Sequence, residues 1–535
     1  MKKRMTFVCV LFISFASALA SPIKPKLVIL ISVDQMRADY LERFKGDFTG
    51  GLKRLIEQGT LFRNATLNYS PSETGPGHAS ISTGCYPGKT GILANDWIDP
   101  ATRKEIYCVE DTSAEKVNTE GGGFSPKNLE VTAIGDWLKL GSPRSKVIAV
   151  SAKDRAAILM GGQHADYAFW YDAQSGHMVT SEYYTQTEPE WVRSFNKSNW
   201  IKHHVPDAWT TLHRSKYYDK FGPDTLVGEM IWNGSTAFPH PFSQKNKKEQ
   251  ILKSPYGDML VLDFAAKALA EEHLGQRNHV DLLCISLSCT DYIGHAFGPN
   301  SHEMADQMMR LDAMLGTFIS NAERIVGKGT ILLALSADHG VLPLPEYTVS
   351  VEHKFSRRIV PQNTINPAIE ALDHSLGAAM GTSDHIIQSK AFLNYAVAAK
   401  AGVDSLELER RVKVGLMAID GIADVYFRRE ILDTLTTPRP FLDIVRRGYF
   451  PPRGKDFIVR FCQNCLVSSS KTGTSHGSPY LYDTHVPLVF WGNGIHSKQS
   501  GQNVHTVDIA PTLAKLLKIQ IPVNVDGHPL DEVVQ

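Results

Sequence analysis

The chain has no excess of charge of either sign. Its 535 residues carry 56 Lys plus Arg and 56 Asp plus Glu, for a formal net charge of zero. No global field therefore draws it to nucleic acid or to an anionic membrane surface, and no specific nucleic-acid binding is expected. A second long apolar run is also missing: beyond the N-terminal segment nothing approaches the roughly 20 residues that a membrane-spanning helix needs, so no membrane anchor is expected. Internal repeats and long low-complexity tracts are absent too, which excludes a solenoid. Cysteine is sparse, at seven residues.

What is present begins with Met1-Lys2-Lys3-Arg4, an apolar run from Met5 to Ala18, and Ala18-Leu19-Ala20 ahead of Ser21. A basic head, a short hydrophobic segment and small residues before the break describe a cleavable secretory signal over 1–20, hence an exported protein, periplasmic or secreted. Six cysteines remain after removal of Cys9, an even number in an exported chain, and proximity pairs Cys85 with Cys108, Cys284 with Cys289 and Cys462 with Cys465. The length exceeds one ordinary compact core. The organisation expected is a core over 21–340, an insertion or cap over 341–467, and the rest of the core over 468–535.

Leu27 to Val33, Val147 to Val150, Leu282 to Leu287 and Thr330 to Ser336 read as buried strands, with helical patterns between them such as Leu52 to Gln58. Strands alternating with helices predict an α/β fold, a central sheet flanked by helices, with ligands collected at the carboxyl ends of the strands. Asp34, Lys153, Asp291 and Asp338 fall at or just beyond such ends. Met304, Met308, Leu311, Leu315 and Phe318 recur at helical spacing and read as core packing. Between 341 and 467 the rhythm changes: Ala391 to Val397 reads as a strand, Ser405 to Ala418 as an amphipathic helix, and Ala423 to Phe427 and Asp456 to Phe461 as strands, a smaller α+β insertion.

The stretch Ser70 to Gly84 holds the working hydroxyl, Thr74. Pro76 at the first helical position puts Thr74 just before a short helix, beside free N–H groups and the positive end of its dipole, where an oxyanion binds well. Elsewhere Asp34, Asp291, His295, Asp338, His339 and His476 sit at strand ends or in Gly-rich turns. Six such residues, three to each of two divalent ions, give the mixed carboxylate and imidazole sites that Zn²⁺ accepts.

The sequences Val33-Asp34-Gln35-Met36-Arg37, Glu73-Thr74-Gly75-Pro76-Gly77-His78, Asn95-Asp96-Trp97, Lys153-Asp154-Arg155, Asp291-Tyr292-Ile293-Gly294-His295, Asp338-His339-Gly340 and Thr474-Ser475-His476-Gly477 resemble the alkaline phosphatase superfamily. More narrowly, they resemble its exported bacterial alkaline phosphatases with a threonine nucleophile. The resemblance implies one zinc held by Asp291, His295 and His476, and a second held by Asp34, Asp338 and His339 with the Thr74 oxygen in contact. It implies attack by Thr74 on phosphorus, a phosphothreonine intermediate and an alkaline optimum. His78 and Asp154 are expected to support the site rather than bind the ions.

Related enzymes place the same two zincs in front of phosphodiesters, so a phosphodiesterase or nucleotide pyrophosphatase is the alternative. A non-catalytic binding protein on the same fold is a third reading, disfavoured by the full set of nucleophile and ligands. Lys153-Asp154-Arg155 separates the first two. A monoester presents a dianionic group whose free oxygens need cationic donors, which Lys153 and Arg155 supply with Asn95. By resemblance these residues replace an arginine and a magnesium-linked network, so two Zn²⁺ and no dedicated Mg²⁺ are expected, with small-molecule phosphate monoesters as substrates. No Cys-x-Pro-x-Arg or Ser-x-Pro-x-Arg occurs in the nucleophile stretch, which argues against a sulfatase.

Overall fold

The computed structural model describes residues 24–388, 391–435 and 437–534, so the expected signal segment 1–20 lies outside the described residues. Nine strands form one mixed sheet: β1 (Leu27–Val33), β2 (Thr60–Thr66), β3 (Val147–Ser151), β4 (Tyr167–Asp172), β5 (His177–Val179), β6 (Asp281–Leu287), β7 (Ile331–Ser336), β8 (His485–Gly492) and β9 (Lys498–His505). Their spatial order is β9-β2-β8-β7-β1-β6-β3-β4-β5. β7, β1, β6, β3 and β4 are parallel, with Leu27 level with both Asp281 and Ile331. Both neighbours of β1 are thus in register with it, and the four strand ends expected to carry the chemistry lie side by side.

Every residue of β1 is buried, as in parallel strands covered on both faces. Alternation still divides it. Leu27, Ile29, Ile31 and Val33 enter one core cluster, and Val28 and Leu30 the other. The helices that matter here are α1 (Gly51–Gln58), α2 (Thr74–Thr83), α3 (Asp154–Gly161), α4 (Pro255–Glu271), α5 (Cys289–Phe297), α6 (His302–Val326) and α7 (Ile509–Leu517). α1, α4, α5 and α6 cover the first face; α2, α3 and α7 cover the second. The methionine stripe of α6 is buried in the first cluster, as core packing requires. Among the described residues no helix is long and apolar enough to cross a membrane.

The segment between β7 and β8 builds its own hydrophobic clusters. In the largest, helices over Ile365–Ala379 and Ser405–Met417 pack with a strand pair, Ile422–Phe427 and Phe457–Phe461, joined antiparallel with Val425 opposite Val459. The strand expected over Ala391 to Val397 is reduced to Phe392 and Leu393, followed by a helix over Tyr395–Lys400. Asn394 accepts a hydrogen bond from the Val397 amide and so caps that helix, and the alanine-rich run after it favours helix over strand.

The cysteine pairing is corrected in two of its three parts. Cys462 and Cys465 form a disulfide with Cα atoms 5.3 Å apart, whereas Cys85, Cys108, Cys284 and Cys289 are free and buried. Cys284 and Cys289 pack on opposite faces of the sheet. Cys108 sits beside Gly75 at the start of α2, and Cys85 follows the helix's closing Gly84. A ten-residue helix, roughly 15 Å long at 1.5 Å per residue, separates them.

Candidate active site

Asp34 directly follows β1, Asp291 sits in the first turn of α5 just after β6, Asp338 and His339 follow β7, and Lys153 follows β3. Four neighbouring strand ends therefore point their side chains into one buried space. His476 comes from the loop before β8, and Thr74 opens α2. That helix starts two residues earlier than Pro76 at the first position implies. Proline is tolerated throughout the first turn, because those N–H groups have no intrahelical partner. Gly84, with φ of 67°, ends the helix in the left-handed region.

The ligating atoms of Asp34, Asp338 and His339 lie within 4.8 Å of one another, as do those of Asp291, His339 and His476. His295 joins the second group: its Nε2 is 3.1 Å from Asp291 Oδ1, and His476 Nε2 is 3.7 Å from the same oxygen. All six expected ligands are thus gathered, with His339 between the two groups, its ring stacked 3.6 Å from that of His476.

Two observations fit divalent ions. The Nδ1 atoms of His295, His339 and His476 pair with the carbonyls of Thr474 (2.8 Å), Gly340 (3.0 Å) and Ser72 (2.6 Å). A donor bond there fixes the tautomer and leaves each Nε2 lone pair facing inward, as metal-ligating histidines require. Asp34 Oδ1 and His339 Nε2 are buried without a hydrogen-bond partner. Orphaned buried acceptors on this scale are costly unless a cation satisfies them.

The electrostatics agree. Burial, reinforced by Asp338, pushes the Asp34 carboxyl well above the ordinary range. Burial also opposes the charge on Asp291, but His295 and Lys153 outweigh it and hold that carboxyl well below the ordinary range. Burial, with His339 and His295 nearby, depresses His476. Three buried carboxylates face a single ammonium, that of Lys153, whose Nζ lies 2.6 Å from Asp34 Oδ2 and 2.5 Å from Asp291 Oδ2. Acidic side chains and imidazole nitrogens gathered in one buried space make a cation-binding cage.

Thr74 is buried, and its Oγ1 lies 3.5 Å from both Lys153 Nζ and Arg155 Nη2. Asn95 Oδ1 accepts from the Gly75 amide at 2.8 Å, so the NH₂ end of the amide remains available to a ligand beside Thr74. Gly77 explains the glycine-rich turn. A Cβ there would lie 2.5 Å from Asp338 Cβ, so only glycine lets α2 approach Asp338 this closely.

His78 and Asp154, expected to support the site, each pair with residues around it. His78 is fully buried, its Nδ1 2.9 Å from the Thr74 carbonyl and 3.2 Å from Asp338 Oδ2, its Nε2 2.8 Å from Ser286 Oγ. Asp154 accepts from Tyr107 Oη at 2.5 Å and from the Arg155 amide at 2.6 Å, and Arg155 Nη1 donates to the same tyrosine at 3.3 Å.

Sequence reasoning passed over Tyr107 and Gln35. Gln35 donates from its side chain to Asp291 Oδ1 (2.7 Å) and from its backbone to Asp338 Oδ1 (3.1 Å), so one residue ties the two ligand groups together. Its φ of 65° makes this possible by turning the chain sharply after Asp34. The available signals were its place immediately after the strand-end aspartate and the glycine in Asp291-x-x-Gly294, where any Cβ would run into Gln35 Oε1.

Residues 28–414 match the model of the type I phosphodiesterase / nucleotide pyrophosphatase family. A Myroides odoratus protein named calcium-transporting ATPase is 36% identical over 98% of this chain and 97% of its own. Alkaline phosphatase PhoV of Synechococcus elongatus is 34% identical over 96% and 93%. The crystal structure of alkaline phosphatase PafA, known from Elizabethkingia meningoseptica, superposes with a TM-score of 0.89 at 34% identity, covering 96% of this chain and 99% of that one. A PafA variant substituted at a threonine, an asparagine, a lysine and an arginine matches with the same TM-score.

Proposed function

The chain belongs to the type I phosphodiesterase / nucleotide pyrophosphatase family, and from its similarity to the alkaline phosphatases PhoV and PafA within that frame we infer an alkaline phosphatase, a hydrolase of phosphate monoesters. The observation that carries this reading over diester hydrolysis is the pair of cations, Lys153 and Arg155, each 3.5 Å from Thr74 Oγ1. A monoester dianion has free oxygens for both, whereas a diester replaces one with an organic group. PafA is a phosphatase by name, and the four residue types substituted in its variant recur here in the same order as Thr74, Asn95, Lys153 and Arg155.

Asp291, His295 and His476 would hold one ion, and Asp34, Asp338, His339 and Thr74 the other; the donor set suits Zn²⁺. Bound there, the pair would supply Lewis acidity to the oxygens at the reacting centre. Everything else falls to the chain. Thr74 Oγ1 loses its proton and attacks phosphorus as the P–O bond to the leaving group breaks, giving a phosphothreonine and an alcohol that takes up a proton, while Lys153, Arg155 and the Asn95 amide grip the non-bridging oxygens and align the group in line. The α2 N-terminus adds its dipole to the developing negative charge. Water then cleaves the phosphothreonine and releases inorganic phosphate. No residue set for a dedicated Mg²⁺ enters this reading, because the two side-chain cations do that work. The basic head and apolar run within residues 1–20 support export.

The deciding measurement is kcat/KM for an aryl phosphate monoester against its matched diester, on wild type and on Lys153→Ala/Arg155→Ala. A strong monoester preference that collapses in the variant is expected. A diester preference indifferent to the variant would move the protein to the phosphodiesterase branch.

A further inference from the structure

The phosphoryl end of the site is cationic, but the space in front of it is apolar and acidic. A cleft of about 860 Å³ opens between the Ser70–Asp96 part of the core and the segment above it. Its wall touches the site at three points: Glu73 precedes Thr74, Asp96 follows Asn95, and Gly477 follows His476. A smaller space of about 360 Å³, lined by His476, Tyr480 and Tyr482, shares Glu73, Val459, Phe461 and Gly477 with it. Open space therefore runs from the nucleophile's turn to His476. In-line displacement sends the leaving group away from Thr74 Oγ1, and this open space borders the chain neighbours of Thr74 and Asn95 and reaches His476.

The lining has a definite chemistry. Ile369, Ile387, Val459 and Phe461 pack one side against the cluster above the core and stay only half-buried, so their remaining apolar surface forms the cleft wall. Among the charged groups on that wall, the exposed carboxylates of Asp96 and Glu370 outnumber the ammonium of Lys455. Apolar surface favours hydrocarbon in proportion to the area it covers, and the surplus of carboxylates repels an anion.

We propose that this cleft receives the organic leaving group and selects apolar groups that are uncharged or cationic, against leaving groups bearing a second phosphate or a carboxylate. The proposal rests on the phosphomonoesterase reading and adds the substrate class to it. Its specificity-determining residues are Ile369, Ile387, Val459 and Phe461.

The test is a series of n-alkyl phosphates, from ethyl to hexyl, given to the full metal-loaded protein. Their alcohols have nearly equal pKa values, so the chemistry stays constant while the apolar area grows. We expect kcat/KM to rise at least tenfold from ethyl to hexyl. A chain of the same length ending in carboxylate is expected at least tenfold below hexyl, and one ending in ammonium within threefold of it. Ile369→Ser/Val459→Ser is expected to flatten the dependence on length. If that variant does not fold, the wild-type protein still decides through direct calorimetric binding of hexylphosphonate, expected at least tenfold tighter than methylphosphonate. A flat length dependence, or equal tolerance of the carboxylate, would falsify the proposal while leaving the phosphatase intact. Absence of phosphate release from every monoester, ethyl phosphate included, would instead sink both readings.

Discussion

At the scale of single residues, the site depends on groups that hold other groups still. Thr74 has one replacement that preserves its chemistry: Thr74→Ser keeps a hydroxyl at the start of α2, and Thr74→Ala removes it. Burst kinetics and trapping of a phosphorylated enzyme should detect an intermediate in wild type and Thr74→Ser and none in Thr74→Ala. Turnover by Thr74→Ala at wild-type rate would exclude this nucleophile. Gln35 is the opposite case, since it touches no substrate in this scheme. Its side chain and backbone restrain Asp291 and Asp338, so Gln35→Ala should weaken metal affinity by about 10–100-fold. A competitive chelator titration reads this directly, without any activity assay. Unchanged affinity would reduce Gln35 to a packing residue.

At the scale of elements, α2 does two jobs at once, presenting Thr74 at its N-terminus and closing against Asp338 along its first turn. The second job is possible only because Gly77 has no side chain. Gly77→Ala should cost about 1–3 kcal/mol, in the range of overpacked cores, and should lower kcat more than it raises KM, because the nucleophile moves relative to the phosphate donors. A denaturant melt beside steady-state kinetics checks both parts. A variant with wild-type stability and kcat would show that α2 has slack. The disulfide Cys462–Cys465 belongs to this scale as well, joining the end of the strand Phe457–Phe461 to the next strand, Cys465–Val467. Its position on the wall of the space beside His476 ties the geometry of that wall to the segment above the core.

At the scale of the whole molecule, stability is coupled to pH through a buried cluster away from the reacting groups. Burial, with Glu303 nearby, pushes Glu229 up to about 9; burial, with Asp224 nearby, pushes Glu303 up to about 8; and burial pushes His240, 2.7 Å from Glu303 Oε1, down to about 4. Glutamates raised in the folded state stabilise it fully below about 4.5, where the unfolded chain also holds the protons. That contribution is lost as pH rises through about 8 and 9. Thermal melts at fixed metal concentration should therefore fall across this window, and Glu229→Gln/Glu303→Gln should fall less steeply. Parallel slopes would exclude the cluster as the cause. Several features were legible from residue order alone: strands Leu27–Val33 and Ile331–Ser336, the α6 stripe, and the aspartates and histidines at strand ends. Buried parallel strands leave continuous apolar runs, and a polar residue ending such a run stands out. The Asn394-capped helix, the four free cysteines, Gln35 and Tyr107 were not legible, because each depends on what lies opposite in space. By itself the sequence determined the α/β class, the family and which acidic, imidazole and cationic residues stand at the strand ends, since these follow from local pattern and residue chemistry. Only the tertiary structure decided that β7, β1, β6 and β3 end side by side, that three imidazoles turn their Nε2 atoms inward, and that a largely apolar cleft opens beside the turn that carries the nucleophile. Those outcomes depend on strand order and on packing between segments hundreds of residues apart, which no local pattern encodes.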